Sequence, residues 1–115
     1  MFYSAYPHRK DSTIPLEISE AALNFASSGD NTIVSASSGK IVRIFRIFFV
    51  VAGDVNVKMK DGAGTDLTAA MTMKTGGSFV LDYDSFPWFS TVAGNAFLIN
   101  LSGAVQVSGR IYYTQ

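Results

Sequence analysis

Short turn signals that contain glycine recur along the whole chain, mostly about eight to fourteen residues apart. A segment of that length holds one β-strand of ordinary size, whereas it leaves little room for a helix and its caps. Strands joined by short turns pair largely antiparallel. The spacing therefore predicts an all-β chain, an antiparallel β-sandwich with a jelly-roll-like arrangement. The seven turn clusters are centred on Gly29, Gly39, Gly53, Gly62, Gly76, Gly94 and Gly103.

Hydrophobic and polar residues alternate between the turns, which supports the same fold. From Val55 to Lys60 every second residue is apolar, the period expected of a strand with one buried and one solvated face. A helix over Ser19–Ala26 is the alternative at one place, because Ser19 can cap it, but Asn24 and Phe25 are poor helix formers. About nine strands are predicted, over residues 14–18, 21–26, 32–36, 41–52, 55–60, 69–73, 78–81, 96–101 and 105–113.

Length and charge limit the possible functions. The chain has 115 residues, the size of one domain, which we divide into an N-terminal arm (1–13) and a β-sandwich (14–115). Nine Lys and Arg balance nine Asp and Glu, so we expect neither nucleic acid nor a membrane as a partner. No segment resembles an export signal or a bilayer-spanning helix. The chain has no cysteine, which excludes disulfides and thiolate zinc sites.

The strand over residues 40–52 is apolar on two faces, although a small sandwich needs only one buried face. Exposing the second face to water would be a solubility hazard. One explanation is a kinked or bulged strand whose outer face is covered by the same chain. The explanation we favour is a subunit interface between copies of the chain. The predicted interface residues are Val42, Ile44, Arg46, Phe48 and Val50.

Residues suited to catalysis or metal binding are few. The only histidine, His8, lies in the arm, so no Ser–His–Asp arrangement can be built around a rigid base. Asp82 and Asp84 could act as paired carboxylates, but such residues more often cap a turn. The segment 61–66 lacks the alternating ligands and closing Glu of a calcium loop. We therefore expect no enzyme activity, no cofactor and no metal.

Two aromatic segments are candidate binding elements. The first surrounds a proline turn and is either an exposed binding rim or, through Trp88 and Phe89, a plug at one end of the sandwich. The rim residues are Tyr83, Phe86, Trp88 and Phe89. The arm interleaves aromatic and basic residues, and we expect it to lie on a neighbouring protein, a frayed terminus being the alternative. Its predicted contact residues are Phe2, Tyr3, Tyr6, Arg9 and Lys10.

A resemblance of sequence texture extends over residues 28–115. It is carried by residues 28–34 (SGDNTIV), 58–67 (KMKDGAGTDL), 86–89 (FPWF), 93–96 (AGNA), 100–109 (NLSGAVQVSG) and 112–115 (YYTQ). In these segments the chain resembles small structural proteins of tailed-bacteriophage virions. The resemblance implies a capsid decoration, or cement, protein, a homotrimer that stabilises the assembled head by binding the major capsid protein. Such a protein is made in the bacterial host cytoplasm and resides on the capsid surface.

The same resemblance leaves two other roles open. A fibre or receptor-binding module would use the aromatic rim to stack on host glycans, whereas a tail or neck connector would form a ring at the portal. The resemblance provides no functional residues to carry over to this chain.

Overall fold

The computed structural model describes residues 17–115, and within them ten strands and no helix are formed. The strands are β1 (Ser19–Phe25), β2 (Gly29–Val34), β3 (Arg43–Val51), β4 (Val55–Asp61), β5 (Thr65–Asp66), β6 (Met71–Met73), β7 (Ser78–Leu81), β8 (Phe89–Ser90), β9 (Phe97–Leu101) and β10 (Val107–Thr114). The helical alternative at Ser19–Ala26 is wrong, because this segment forms β1 and pairs with β10 along its whole length.

The strands form two antiparallel sheets. Sheet I has the order β1-β10-β3-β7, with β8 also paired to β3, and sheet II has the order β2-β9-β4-β5, with β6 also paired to β4. This is the strand order of a jelly roll if β5 with β6, and β7 with β8, each count as one interrupted strand. The predicted antiparallel, jelly-roll-like sandwich is therefore confirmed.

The core lies between the two sheets and is formed by the inward side chains of both. Strand alternation provides these side chains, as the pattern at Val55–Lys60 predicts: Val57 and Met59 are fully buried. Phe49 stacks on Phe79 with ring centroids 5.3 Å apart. The five glycines with positive φ, which are Gly29, Gly39, Gly62, Gly76 and Gly94, all lie in predicted turn clusters.

Strand β3 contains a bulge that changes which of its residues face the core. Tyr112 lies opposite Arg46 and Tyr113 opposite Ile44, so Phe45 is an extra residue without a partner on β10. The bulge shifts the alternation by one position. Val42 and Ile44 are consequently core residues, both fully buried within the chain. Their assignment to an exposed subunit interface is therefore wrong, and only the residues after the bulge follow the predicted outward face.

At Gly109 the backbone of β10 packs tightly against the backbone of β3. A Cβ atom at this position would collide with the carbonyl oxygen of Phe48 and would lie 2.6 Å from the Cα of Phe49. Only glycine allows the two strands to pair this tightly, since the obstructing atoms belong to the backbone and cannot rotate away. This pairing positions the outer face of sheet I.

The predicted strand 14–18 has no counterpart at Glu17 and Ile18, and its first three residues lie outside the described chain. The arm (1–13) and its predicted contact residues Phe2, Tyr3, Tyr6, Arg9 and Lys10 also lie outside it.

Candidate functional site

An apolar patch is exposed on the outer face of sheet I. Phe48 and Val80 are directly opposite each other in the β3–β7 pair, and Val50 follows on the same side of β3. Val50 is 47% exposed and Val80 is 61% exposed, whereas Phe48 is half-buried. Each Å² of such surface gains roughly 25 cal/mol when it is removed from water. Covering this patch would therefore be energetically favourable.

Arg46 borders this patch, and its guanidinium group packs against two aromatic rings. Its guanidinium carbon lies 5.3 Å from the ring centroids of both Phe48 and Tyr112. Its Nε atom is 3.1 Å from Asp82 Oδ1, in an ion pair without hydrogen-bond geometry. Cations stacked in this way are weakly hydrated, so they can be buried in a protein contact more readily than a lysine.

Arg110 completes the outer face from the neighbouring strand. Its guanidinium carbon lies 5.9 Å from the centroid of Tyr112. The Glu20 carboxylate accepts a hydrogen bond from Arg110, which raises the pKa of this guanidinium. We call the set Arg46, Phe48, Val50, Val80, Arg110 and Tyr112 the aromatic face.

Sequence reasoning identified half of the aromatic face. Arg46, Phe48 and Val50 were predicted as interface residues, and the structure brings them to one surface. Val80, Arg110 and Tyr112 were missed as members of it. Alternation places Arg110 and Tyr112 on the outward side of β10, but only the pairing of β10 with β3 puts them beside Arg46 and Phe48.

The predicted aromatic rim is divided between surface and core. Phe86 is 78% exposed, and Trp88 is 43% exposed with its indole N–H donating to the Asp82 carbonyl at 2.7 Å. Phe89 instead belongs to β8 and stacks on the core residue Phe97, with centroids 6.2 Å apart. One end of the segment therefore packs into the sandwich through Phe89, and the other end is exposed at Phe86 and Trp88.

Tyr83 covers the bulge residue Phe45, which is buried outside the main core. The two rings stack with centroids 6.2 Å apart. Burial raises the pKa of the Tyr83 hydroxyl, and the nearby Asp84 carboxylate raises it further. Tyr83 is thus a packing residue of the loop between β7 and β8.

The candidate catalytic and metal-binding carboxylates are occupied by structural contacts. Asp82 accepts a hydrogen bond from the Tyr83 backbone N–H at 2.9 Å, and Asp84 accepts one from Ser85 at 2.7 Å. Asp61 is buried, where it accepts the Val92 backbone N–H and the Asn95 side-chain amide, each at 3.0 Å. Between residues 17 and 115 no cluster of three or more metal-ligating side chains occurs.

The outer face of sheet II is polar and its charges are paired. Lys60 donates to both Asp30 oxygens at 3.2 and 3.3 Å, and Asn100 donates to the same carboxylate at 2.7 Å. The hydrogen bond from Asn100, followed by those from Lys60, lowers the pKa of Asp30, although burial acts in the opposite direction. Lys58 pairs with Asp66 at 3.2 Å. This face has few unsatisfied groups to offer a partner.

Comparison of the chain with protein-family models and with curated proteins found no match. None of the described residues belongs to a helix long and apolar enough to cross a membrane.

Proposed function

We propose that this chain is a non-enzymatic structural protein that assembles with copies of itself through the aromatic face. The observation that carries the proposal is the exposure of Val50 and Val80 beside Phe48 on one side of a sheet. Aromatic residues and arginine are the residue types enriched in protein interfaces. A monomer gains nothing from leaving this surface in water.

The charges of the aromatic face also suit contact between identical chains. Arg46 and Arg110 each have a carboxylate partner, Asp82 and Glu20, on the same chain. The face is therefore neutral as a unit, so copies that meet through it do not place like charges together. The same neutrality would avoid charge repulsion if the aromatic face of one copy met a different surface of another copy.

We further propose that the assembly is a homotrimer that decorates a phage capsid and stabilises the assembled head by binding the major capsid protein. Support comes from the sequence resemblance over residues 28–115 and from the jelly-roll topology, which is common in viral capsid proteins. A protein that binds only the assembled shell stabilises it by mass action, without a cofactor. Three linked contacts strengthen such binding through effective concentration.

Sedimentation equilibrium of the purified full chain tests self-assembly. The expected mass is three times the 12.4 kDa of one chain. Val80→Lys should reduce the mass to that of the monomer, because it places a charge in the apolar patch. Thr72→Lys is the matched control, since Thr72 is an exposed β-branched residue on the equivalent interrupted strand of sheet II. A monomeric wild-type chain, or equal behaviour of both variants, would contradict the proposal.

Quantitative mass spectrometry of virions from the source of the chain tests the location. Hundreds of copies in each particle support a decoration protein, and a dozen or fewer support a neck connector instead. Absence of the chain from purified virions would refute the virion assignment while leaving the self-assembly result untouched.

A receptor-binding module is the second candidate, favoured by the exposure of Phe86 and Trp88. The indole is held in place by its bond to Asp82, and jelly rolls also occur in lectins. Binding on a glycan array that is lost in Phe86→Ala would support this role. No glycan binding by the wild-type chain would exclude it.

A further inference from the structure

A pocket of about 410 Å³ opens at the end of sheet I where β3 begins and β10 ends. Its wall includes Lys40 from the segment before β3 and Arg43 from the start of β3. Thr114, the last residue of β10, and Gln115, which follows it, also belong to the wall. Glu17, which precedes β1, closes another side. The volume is within the range of pockets that bind small ligands or side chains.

Two cations that have no ion-pair partner among the described residues line this pocket. Of the seven lysines and arginines between residues 17 and 115, five form an ion pair: Arg46, Lys58, Lys60, Lys74 and Arg110. Lys40 and Arg43 are the two that remain within this range, and both belong to the pocket wall. The rest of the described chain neutralises its cations, so this concentration of unpaired positive charge distinguishes the pocket.

A buried hydroxyl in the same wall is also unpartnered within residues 17–115. Thr114 is 5% exposed, and its Oγ1 atom forms no hydrogen bond in this part of the chain. Thr114 is directly opposite Arg43 in the β10–β3 pair, so the two side chains leave the same side of the sheet. A buried hydroxyl without an acceptor is unfavourable. A ligand oxygen bound beside Arg43 can provide that acceptor.

The side chains of the wall favour a singly charged anion. Lys40 and Arg43 are cationic and Glu17 is anionic, so a carboxylate needs less charge compensation here than a doubly charged phosphate. The planar guanidinium of Arg43 can donate two parallel hydrogen bonds to a carboxylate.

We infer that this pocket binds an acidic side chain, Asp or Glu, presented by a segment of a partner protein. Arg43 holds the carboxylate, Lys40 adds positive charge, and Thr114 donates its hydroxyl hydrogen. The inference rests on the proposed function only in that it takes the partner to be a protein. The pocket would give the assembly a polar, orientation-specific contact that the aromatic face cannot provide.

Amide chemical shifts of the isotope-labelled full chain test the inference with an acetylated, amidated tetraglutamate peptide as the probe. Saturable shifts are expected at Ile41, Thr114 and Gln115. A tetraglutamine peptide should produce none, and inorganic phosphate should bind more weakly than tetraglutamate. Arg43→Gln should weaken tetraglutamate binding by at least about ten-fold, because a charge-assisted contact is lost. Lys74→Gln, which removes an exposed lysine elsewhere, is the control and should leave the affinity unchanged.

Thr114→Val provides a second and independent readout. It should raise the melting temperature of the free chain, because it removes an unpartnered hydroxyl, and it should weaken the peptide complex. Equal shifts with tetraglutamine, tighter binding of phosphate, or unchanged affinity in Arg43→Gln would each overturn the inference. A monomeric chain that binds tetraglutamate would refute self-assembly alone, whereas a trimer that does not bind it would refute the pocket alone.

Discussion

The outer faces of the two sheets differ in how they present charged residues to water. Both sheets cover the same core, and on both outer faces lysine or arginine residues form ion pairs with carboxylates. On sheet II, Asp30 is bonded by both Lys60 and Asn100, so the polar groups satisfy one another. On sheet I, Arg46 lies on aromatic rings and the neighbouring valines remain exposed. The comparison teaches that two faces with balanced charges can differ greatly in the apolar area that they leave exposed to water.

The largest effect is expected where sheet I is held together. Gly109→Ala should destabilise the chain by at least about 3 kcal/mol, because its Cβ would collide with the backbone of β3 and separate the strands that form the aromatic face. Urea unfolding measures the change. Gly103→Ala is the control, since no atom lies within 4 Å of the position that a Cβ would take there, and it should change stability by less than about 0.5 kcal/mol. Equal losses in both variants would show that the close strand pairing is unimportant.

The next largest effect is expected from the ion pair on the polar face of sheet II. A double-mutant cycle between Lys60 and Asp30 should give a coupling energy of about 1 kcal/mol, because the lysine side chain is only 11% exposed. The control cycle between Lys74 and Asp54, whose side chains are 78% and 65% exposed, should give less than about 0.5 kcal/mol. Equal coupling energies would show that the Lys60–Asp30 pair stabilises the chain no more than an exposed ion pair does.

The stacked cation of sheet I should have a smaller effect in the free chain. Arg46→Lys keeps the charge but loses the planar contact with Phe48 and Tyr112, and should cost about 0.5–1 kcal/mol of unfolding free energy. Arg43→Lys is the control, since no aromatic ring of the described chain lies under Arg43. Thermal or urea unfolding that does not separate these variants would contradict the stacking argument.

The smallest effect is expected from acid titration of Asp30. Its pKa is lowered in the folded chain, so the unfolded chain takes up the proton first as the pH falls. The stabilisation is therefore complete above the unfolded pKa and is lost as the pH falls through the folded value. The stability difference between wild type and Asp30→Asn should be largest at neutral pH and shrink between about pH 5 and pH 3. A difference that is constant over this range would contradict the assignment.

Local signals made the fold predictable. Gly62 and Gly94 form turns, and the alternation from Val55 to Lys60 forms a strand, through interactions within a few residues. Such short-range features can be identified directly in the sequence.

The bulge was not predicted, although Arg43 and Arg46 mark it. Residues three apart fall on opposite faces of a regular strand, and only the extra residue Phe45 brings both arginines to the outer face. The assignment of Val42 and Ile44 assumed regular alternation along the whole strand, and it failed for that reason.

The candidate surfaces depend on contacts between distant segments. Val80 joins the aromatic face only through the β3–β7 register, and the pocket combines Glu17, Lys40, Arg43 and Thr114 from four separate parts of the chain. No local pattern marks these residues as neighbours. The long apolar strand does indicate more hydrophobic residues than one buried face requires. For that reason Phe48 and Val50 could be predicted as surface residues from the sequence.

The extra residue in β3 lets both ends of that strand face the interior. Val42 and Ile44 are buried before it, and Ile47 and Phe49 are buried after it, although the first pair has even numbers and the second pair odd numbers. In a regular strand, two residues of unlike parity lie on opposite sides, so one of these pairs would leave the core. Deletion of Phe45 would therefore exchange interior and surface residues over half of the strand, which makes this single position decisive for both.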